Sequence, residues 1–319
     1  MAEAGASELK IRPSAPGDSL EKSHLSEDLR PSRSKIESYA IPNPDLYSVA
    51  FSGGADLPHH GVLHGEETAV LSAVLVNVAY QDVLKRRGKE VADTFRDRID
   101  EKVLLLAAAY HDCGRKADFG FHKGEMQKHG PRGADIISER LDEADPTLSE
   151  EQARLMSDLI RFHTPTPQES RDRLKDHALD KLRIPPRGSR AARKAEKERP
   201  FEDYEPEELM LRLLQEADKL GLPRGYYSRK PESSKRVPFA MGTSAVRELK
   251  SRMPILRNRP THFEQNLRPE SKKLQLYSLA DDLTRMSRRD PEINEKFSHV
   301  PHRQGAALEA GEKLGILKP

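Results

Sequence analysis

The chain has 319 residues, with 54 Lys and Arg against 52 Asp and Glu, a formal net charge of only +2, and one cysteine, Cys113. The near balance argues against a dedicated nucleic-acid binder, and a single cysteine excludes an intrachain disulfide and a cysteine-only zinc cage. No run reads as the roughly 18–20 apolar residues that a membrane helix needs, no charged-then-apolar leader opens the chain, and at 35% hydrophobic content only part of the length is expected to form a core. The expectation is a soluble protein of a reducing compartment, or one exported by a route that needs no such leader.

Residues 1–45 are rich in Ser, Pro and charge and have no apolar period, so they read as a disordered tail. A core is expected over residues 46–226. Its first helix follows His64 and ends at Gly88, a suitable C′ residue, with Val70, Leu71, Val74, Leu75 and Val78 at helical spacing and the opposite side also apolar. The second runs from Asp100, a capping residue, to Asp112, and is apolar throughout Val103 to Ala109. A third follows Pro131 with Ala134, Ile137 and Leu141 on one face. A fourth starts at Ser149, whose Gln152 three residues on makes a capping box. The fifth opens with Pro206 at N1, carries Leu209, Leu213, Leu214 and Leu220, and stops at Gly221. Residues 164–205 read as a polar loop with a basic centre over 183–199. Residues 227–319 read as a polar helical extension, with one amphipathic helix near Leu274, Tyr277, Leu283 and Met286. No alternating strands and no internal repeat are found, so the fold class is all-α.

The residues that carry chemistry are histidines and the acids near them. His111 and Asp112 end a very apolar helix, where an unpaired carboxylate is costly. His64 opens the first buried helix, with His60 one turn before it. Asp218 lies beside the apolar face of the fifth helix. Three buried helices therefore each deliver an imidazole or an acid toward the core. A divalent cation would satisfy them together, since these donors suit Zn, Fe, Mn and similar ions. The basic residues nearest these positions are Arg115 and Lys116 after the His-Asp pair, and Lys219 and Arg224 after Asp218. They are candidates to bind substrate phosphate. Cys113 has no separate histidine–acid pattern and reads as a small packing residue.

The order His64, His111-Asp112, Asp218 resembles the HD superfamily of phosphohydrolases. HGEETAVLSAVL is similar to that family's first-histidine helix, AAAYHDCGR to its HD helix, and LLQEADKL to its last-aspartate helix. HGPRGADII, with His129, and DLIRFHT, with His163, are similar to the segments that complete a second metal site in some members. A narrower resemblance is to the phosphodiesterase domain of SidE-type effectors, carried by HGVLH, VLVNVAY and HDCGR. That family implies a catalytic role for His60 and an acid shortly after the HDxxR segment, where this chain offers Asp118.

These resemblances, which span about His60 to Arg224, imply an HD-type helical bundle with disordered or loosely packed flanks. They imply phosphodiester hydrolysis in one of two ways. In the first, His64, His111, Asp112 and Asp218 hold one divalent ion (Mn, Fe, Mg or Zn), His129 and His163 a second, and metal-activated water attacks phosphorus. In the second no metal is needed, and His60 or His64 acts as nucleophile or base while another histidine protonates the leaving oxygen. The implied substrate is a nucleotide-like phosphodiester, on an ADP-ribosylated or phosphoribosylated protein, with no nucleic-acid or membrane partner. The implied place of action is the cytoplasm, or a host cytoplasm reached by secretion. The alternatives are a phosphohydrolase of free or cyclic nucleotides, and a degenerate HD fold serving as an interaction module.

Overall fold

The computed structural model describes residues 25–47, 60–116, 125–164, 198–221, 267–287 and 304–319. Eleven α-helices lie among them: α1 (Arg33–Ala40), α2 (Val62–Arg87), α3 (Lys89–Asp97), α4 (Glu101–Tyr110), α5 (Glu125–Glu139), α6 (Leu141–Ala144), α7 (Glu150–Phe162), α8 (Pro206–Gly221), α9 (Pro269–Lys273), α10 (Leu276–Ser287) and α11 (Ala306–Lys313). The described residues contain no strand, and their one β-bridge pairs Ser32 with Lys318. The all-α class holds.

The hub is α2. Every residue from Val62 to Val78 is buried, because its apolar side chains surround the axis instead of forming one stripe. It packs against α1, α3, α4, α8, α10 and α11. By length and composition α2 also passes as a membrane span, which corrects the reading that no run does; here its apolar window is wholly buried by neighbouring helices. Gly88 ends it with φ of +88° and donates its N–H to Leu84 O at 3.0 Å, a conformation that glycine adopts without a Cβ penalty.

Caps set the register of the next helices. Asp100 Oδ1 accepts from Val103 N (3.1 Å) at the start of α4, and Ser149 and Gln152 form the reciprocal capping box of α7 (3.2 and 3.1 Å). Gln152 Nε2 also donates to Asp100 Oδ2 (2.8 Å), which ties the two helix starts together. The helix expected after Pro131 begins earlier, at Glu125, with Pro131 inside it. Leu141 falls in the separate short α6. Close packing on α7 outweighs the local cost of the proline.

The described parts of the flanks pack more tightly than the composition suggested. The tail expected to reach residue 45 gives way, at residues 25–47, to α1 and two 3-10 turns with Leu25, Leu29, Ile36, Ala40, Leu46 and Tyr47 buried. These side chains have no period because each fills a separate slot on α2 or α4. Polar bonds hold the same segment: Asn43 N donates to Tyr110 Oη (2.7 Å) and Asn77 Nδ2 to Leu29 O (3.3 Å). At the other end, Leu267, Leu276, Leu283, Leu308, Ile316 and Leu317 are buried. The amphipathic helix expected near Leu274 is α10, with Tyr277 and Met286 packed on the core, whereas Leu274 sits in the turn before it and is exposed. Burial pushes the Glu66 carboxyl up to about 7, against the pull of the Gly305 and Ala307 N–H groups that donate to it.

A 3-10 turn at Phe201–Asp203 is pinned to the end of α2. Glu202 accepts from Arg86 Nη1 and Nη2 (2.6 and 2.8 Å) and from Arg87 Nε (3.1 Å). Burial opposes its charge, but Arg86 and Arg87 hold the carboxyl down at about 2, below its ordinary 4.5. A depressed carboxyl adds stability above its unfolded pKa, and that stability fades as pH falls through the folded value. With both arginines partly in solvent, about 1 kcal/mol is the expected scale. Glu202→Gln should therefore lower Tm by about 2–4 °C at pH 7. The difference should close between pH 4.5 and about 2 in thermal melts.

Candidate active site

Five helices, most of them at their ends, converge on one buried point. His60 lies in the turn that leads into α2, and His64 one helical turn later, their rings 5.5 Å apart. His111 and Asp112 occupy the turn that closes α4, and Arg115 follows them. His129 projects from α5, His163 caps the C-terminus of α7, and Asp218 comes from the last turns of α8.

Glycines permit this convergence. A Cβ on Gly65 would stand 2.1 Å from Ala109 O and 2.4 Å from Tyr47 Oη, so α2 can approach the end of α4 this closely only because residue 65 has no side chain. The Tyr47 hydroxyl donates to that same Ala109 carbonyl (2.5 Å). A Cβ on Gly114 would stand 2.3 Å from both His129 O and Gly133 N, which brings the His-Asp turn onto α5.

The two oxygens of Asp112 divide the cluster. Oδ2 faces His60 Nδ1 (2.8 Å), His111 Nε2 (3.5 Å) and His64 Nε2 (3.6 Å). Oδ1 faces Arg115 Nε (3.1 Å), His129 Nε2 (3.2 Å) and His163 Nε2 (3.7 Å). Asp218 Oδ1 completes the first side at 3.2 Å from His64 Nε2 and 3.6 Å from His111 Nε2. On the other side, His129 Nε2 lies 3.0 Å from His163 Nε2 and 3.3 Å from Arg115 Nη2. His64, His111, Asp112, His129 and His163 are buried; His60 and Asp218 keep 14% and 20% of their side-chain surface, so the cluster opens to solvent between them.

Local bonds turn the Nε2 atoms inward. His111 Nδ1 meets Ala108 O (2.8 Å) and His163 Nδ1 meets Ile160 O (2.6 Å), so each Nδ1 carries the proton and each Nε2 faces the cluster. Thr68 Oγ1 donates to His64 O (2.8 Å) and lies 3.2 Å from His64 Nδ1, with a lone pair left to accept that proton.

The electrostatics follow from burial and counter-charge. Burial works against the Asp112 charge, but Arg115, His111, His60 and His129 outweigh it and hold the carboxyl well below its ordinary value. Asp218 is held down in the same way by His111 and His64. Burial pulls His111 down, yet Asp112 and Asp218 overcome it and leave its pKa raised. His129 has no such excess of negative charge, and burial takes it down to about 4, so it is neutral at pH 7.

The first side fits a divalent cation. Metal–ligand bonds of about 2.0–2.2 Å place neighbouring donors about 3.0–3.6 Å apart, the spacing that separates each of the Asp112 and Asp218 carboxylates from His64 and His111. His111 Nε2 is buried and makes no hydrogen bond. Backbone acceptors behind ligating imidazoles are the usual outer partners of such a site. A proton on His111 or a metal ion would satisfy the same two carboxylates. The second side fits less well: the Arg115 guanidinium already holds Asp112 Oδ1 and His129, and it would repel another cation.

The structure thus brings together eight of the twelve candidate residues: His60, His64, His111, Asp112, Arg115, His129, His163 and Asp218. Lys116 is half-buried next to them, and Lys219 pairs with Glu216 at 3.9 Å. Asp118 and Arg224 lie outside the described residues. The sequence reading missed the residues that aim the cluster: Tyr47, Gly65, Thr68 and Gly114. Only Thr68 carried a local signal, four residues after His64 on the same helix face.

A search of the curated proteins and one of the solved structures each gave no match. Among protein families, the SidE phosphodiesterase (PDE) domain matches residues 37–289. The match extends past both ends of the His60–Arg224 resemblance, and it takes in the second half of α1 and all of α10. Covering most of the chain and every residue of the buried cluster, it shows that this protein belongs to the SidE phosphodiesterase domain family.

Proposed function

We propose that this chain, on an HD-type helical fold, hydrolyses a phosphodiester in a nucleotide-like group attached to a protein, as in ADP-ribosyl or phosphoribosyl conjugates. The carrying observation is the Asp112 carboxylate, which holds His60 on one oxygen and Arg115 on the other. Asp112 fixes the His60 tautomer through Nδ1, which leaves Nε2 as the reactive nitrogen. His60 then either takes the proton of an attacking water or itself attacks phosphorus, the P–O bond to the leaving group breaking as the new bond forms. His111, whose raised pKa keeps a proton available, protonates the leaving oxygen. Arg115, with Lys116 beside it, balances the charge that builds on the phosphoryl oxygens. Lys219, Arg224 and Asp118 remain proposed substrate or catalytic residues on sequence grounds. The protein is proposed to act in a cytoplasm, its own or that of a host cell into which it is secreted.

The His111 Nε2, buried without a hydrogen bond between two carboxylates, favours a second reading, in which His64, His111 and Asp218, with Asp112 beside them, hold one divalent ion, Zn, Fe or Mn before Mg given the imidazole donors. When bound, that ion supplies Lewis acidity and positive charge at the phosphoryl group.

One experiment separates the readings. Purified protein is assayed with and without chelator on phosphoribosylated protein, ADP-ribosylated protein and free nucleotides. Metal content is measured beside an Asp112→Ala variant. Turnover of the modified proteins at least about tenfold faster than of free nucleotides, unchanged by chelator, is the expected result for the histidine route. About one ion per chain, lost together with activity in Asp112→Ala, selects the metal route. Turnover of free nucleotides alone rejects the protein-conjugate substrate, and no hydrolysis of any of the three rejects the enzymatic reading.

A further inference from the structure

One turn of α2 is held from four directions. Residues 64–67 step around the helix at about 100° each, and each meets a different part of the fold. His64 enters the cluster. Gly65 lies against the Ala109 carbonyl at the end of α4. Glu66, fully buried, spends both carboxylate oxygens on the N-terminus of α11: Oε1 accepts from Gly305 N (2.7 Å) and Oε2 from Ala307 N (3.2 Å). Glu67 Oε1 accepts from Ser287 Oγ (2.9 Å) at the end of α10.

The α11 segment is itself firmly seated. Gly305 takes φ of +79° before the helix, and Gly311 lets Leu317 and Val70 close in on the far side. Ile316 N and Leu317 N return to Gly311 O (2.7 and 3.1 Å), Lys318 N donates to Pro31 O (2.9 Å), and Arg33 pairs with Glu312. Residues 304–319 also lie beyond the family match, which ends at 289. A buried carboxylate carries a desolvation cost that an apolar side chain in the same slot would not incur. Its attested benefit is to fix one arrangement among several. Here the thing fixed is the rotation and height of α2 two residues from His64 and six from His60.

We propose that Glu66 is a positioning residue for the active site, and that the segment 304–319 is part of the catalytic unit, setting through Glu66 where His64 stands. This rests on the phosphodiesterase reading for its activity readout only. Full-length wild type, Glu66→Ala, Glu66→Gln and Ser287→Ala are compared by turnover of bis(p-nitrophenyl) phosphate, by the ¹H–¹⁵N spectrum of the histidine rings, and by thermal melts. Glu66→Ala should lower kcat about tenfold with KM within about twofold, as expected for a displacement smaller than the 1 Å that costs about 10²-fold, and shift the His64 ring signals. Glu66→Gln, which keeps one carbonyl acceptor, should sit about threefold below wild type. Ser287→Ala should lower Tm and leave both kcat and the ring spectrum alone. If Glu66→Ala does not fold, Glu66→Gln alone decides by the same two readouts. A Glu66 variant that loses Tm while its kcat and ring signals match wild type overturns the proposal. If wild type hydrolyses no phosphodiester, the functional reading falls separately. The ring spectrum then decides: a shifted His64 sustains the positioning role and an unmoved one rejects it.

Discussion

Asp112→Asn is expected to lower turnover by a factor of about 10³ or more while leaving the helices in place. The substitution preserves shape and removes charge. Asparagine offers one acceptor oxygen and one NH₂ donor where Asp112 offers two acceptors, so His60 and Arg115 cannot both keep their bonds. If the amide oxygen turns to Arg115, the NH₂ faces His60 Nδ1 and forces the other tautomer, with the proton on Nε2. That places a donor where a base or nucleophile is needed, an effect on the scale of a full general-base contribution of 10²–10⁴. If it turns to His60, Arg115 is a buried cation facing a neutral donor. The stability cost is separable from the catalytic one. Removing one partner of a buried pair typically costs about 3–5 kcal/mol, and Asp112 has several cationic neighbours, so a clear fall in Tm should accompany the loss of turnover. Circular dichroism at 20 °C would establish that the variant is folded when assayed. Turnover within about tenfold of wild type would mean that the cluster is not the reacting centre.

Much of this centre was legible from the chain because its residues break local rules. A carboxylate at the end of an eight-residue apolar run, or on the apolar side of α8, demands a partner, and the three buried helices that carry such anomalies, α2, α4 and α8, are among those that meet. The caps of α4 and α7 were equally local, since Asp100 and Ser149 satisfy donors three residues on. What stayed hidden depended on partners far away in sequence. Glu66 and Glu67 look like ordinary helix-surface acids until Gly305 and Ser287, more than 200 residues on, close over them. Residues 25–47 bury their apolar side chains one slot at a time, so no period announces them. The helix α3 buries only Ala92 and Phe95 and leaves Val91 exposed, too weak a stripe to read. Gly65 was the least visible of all, because within a helix a glycine registers only as a propensity penalty.

That glycine carries the second large effect. Gly65→Ala should reduce turnover by at least about 10² and destabilise the fold by about 1–3 kcal/mol or more. The added methyl would stand 2.1 Å from Ala109 O, 3.0 Å from Ala109 C and 2.4 Å from Tyr47 Oη. A carbon and an oxygen need more than 3 Å, so something must move by about 1 Å. The obstacle at 2.1 Å is backbone, and it lies two residues before His111, so relief requires α2 and α4 to part. His64 rides on one helix and His111 on the other, with rings 4.8 Å apart, and parting the helices draws His64 Nε2 away from both His111 and the Asp112 carboxylate. A double variant isolates the cause. Tyr47→Phe removes the hydroxyl but not the Ala109 carbonyl, so Tyr47→Phe with Gly65→Ala should stay as inactive as Gly65→Ala alone. If the double variant regains activity, the tyrosine was the obstacle and α2 and α4 were never forced apart. A comparison within the protein gives the same test a scale. Gly133, whose added Cβ would meet only side chains and one amide at 3.1–3.2 Å, should tolerate alanine with a loss of activity well below that of Gly65→Ala. Equal losses at the two positions would show that helix separation at Gly65 is not what aligns His64 with His111.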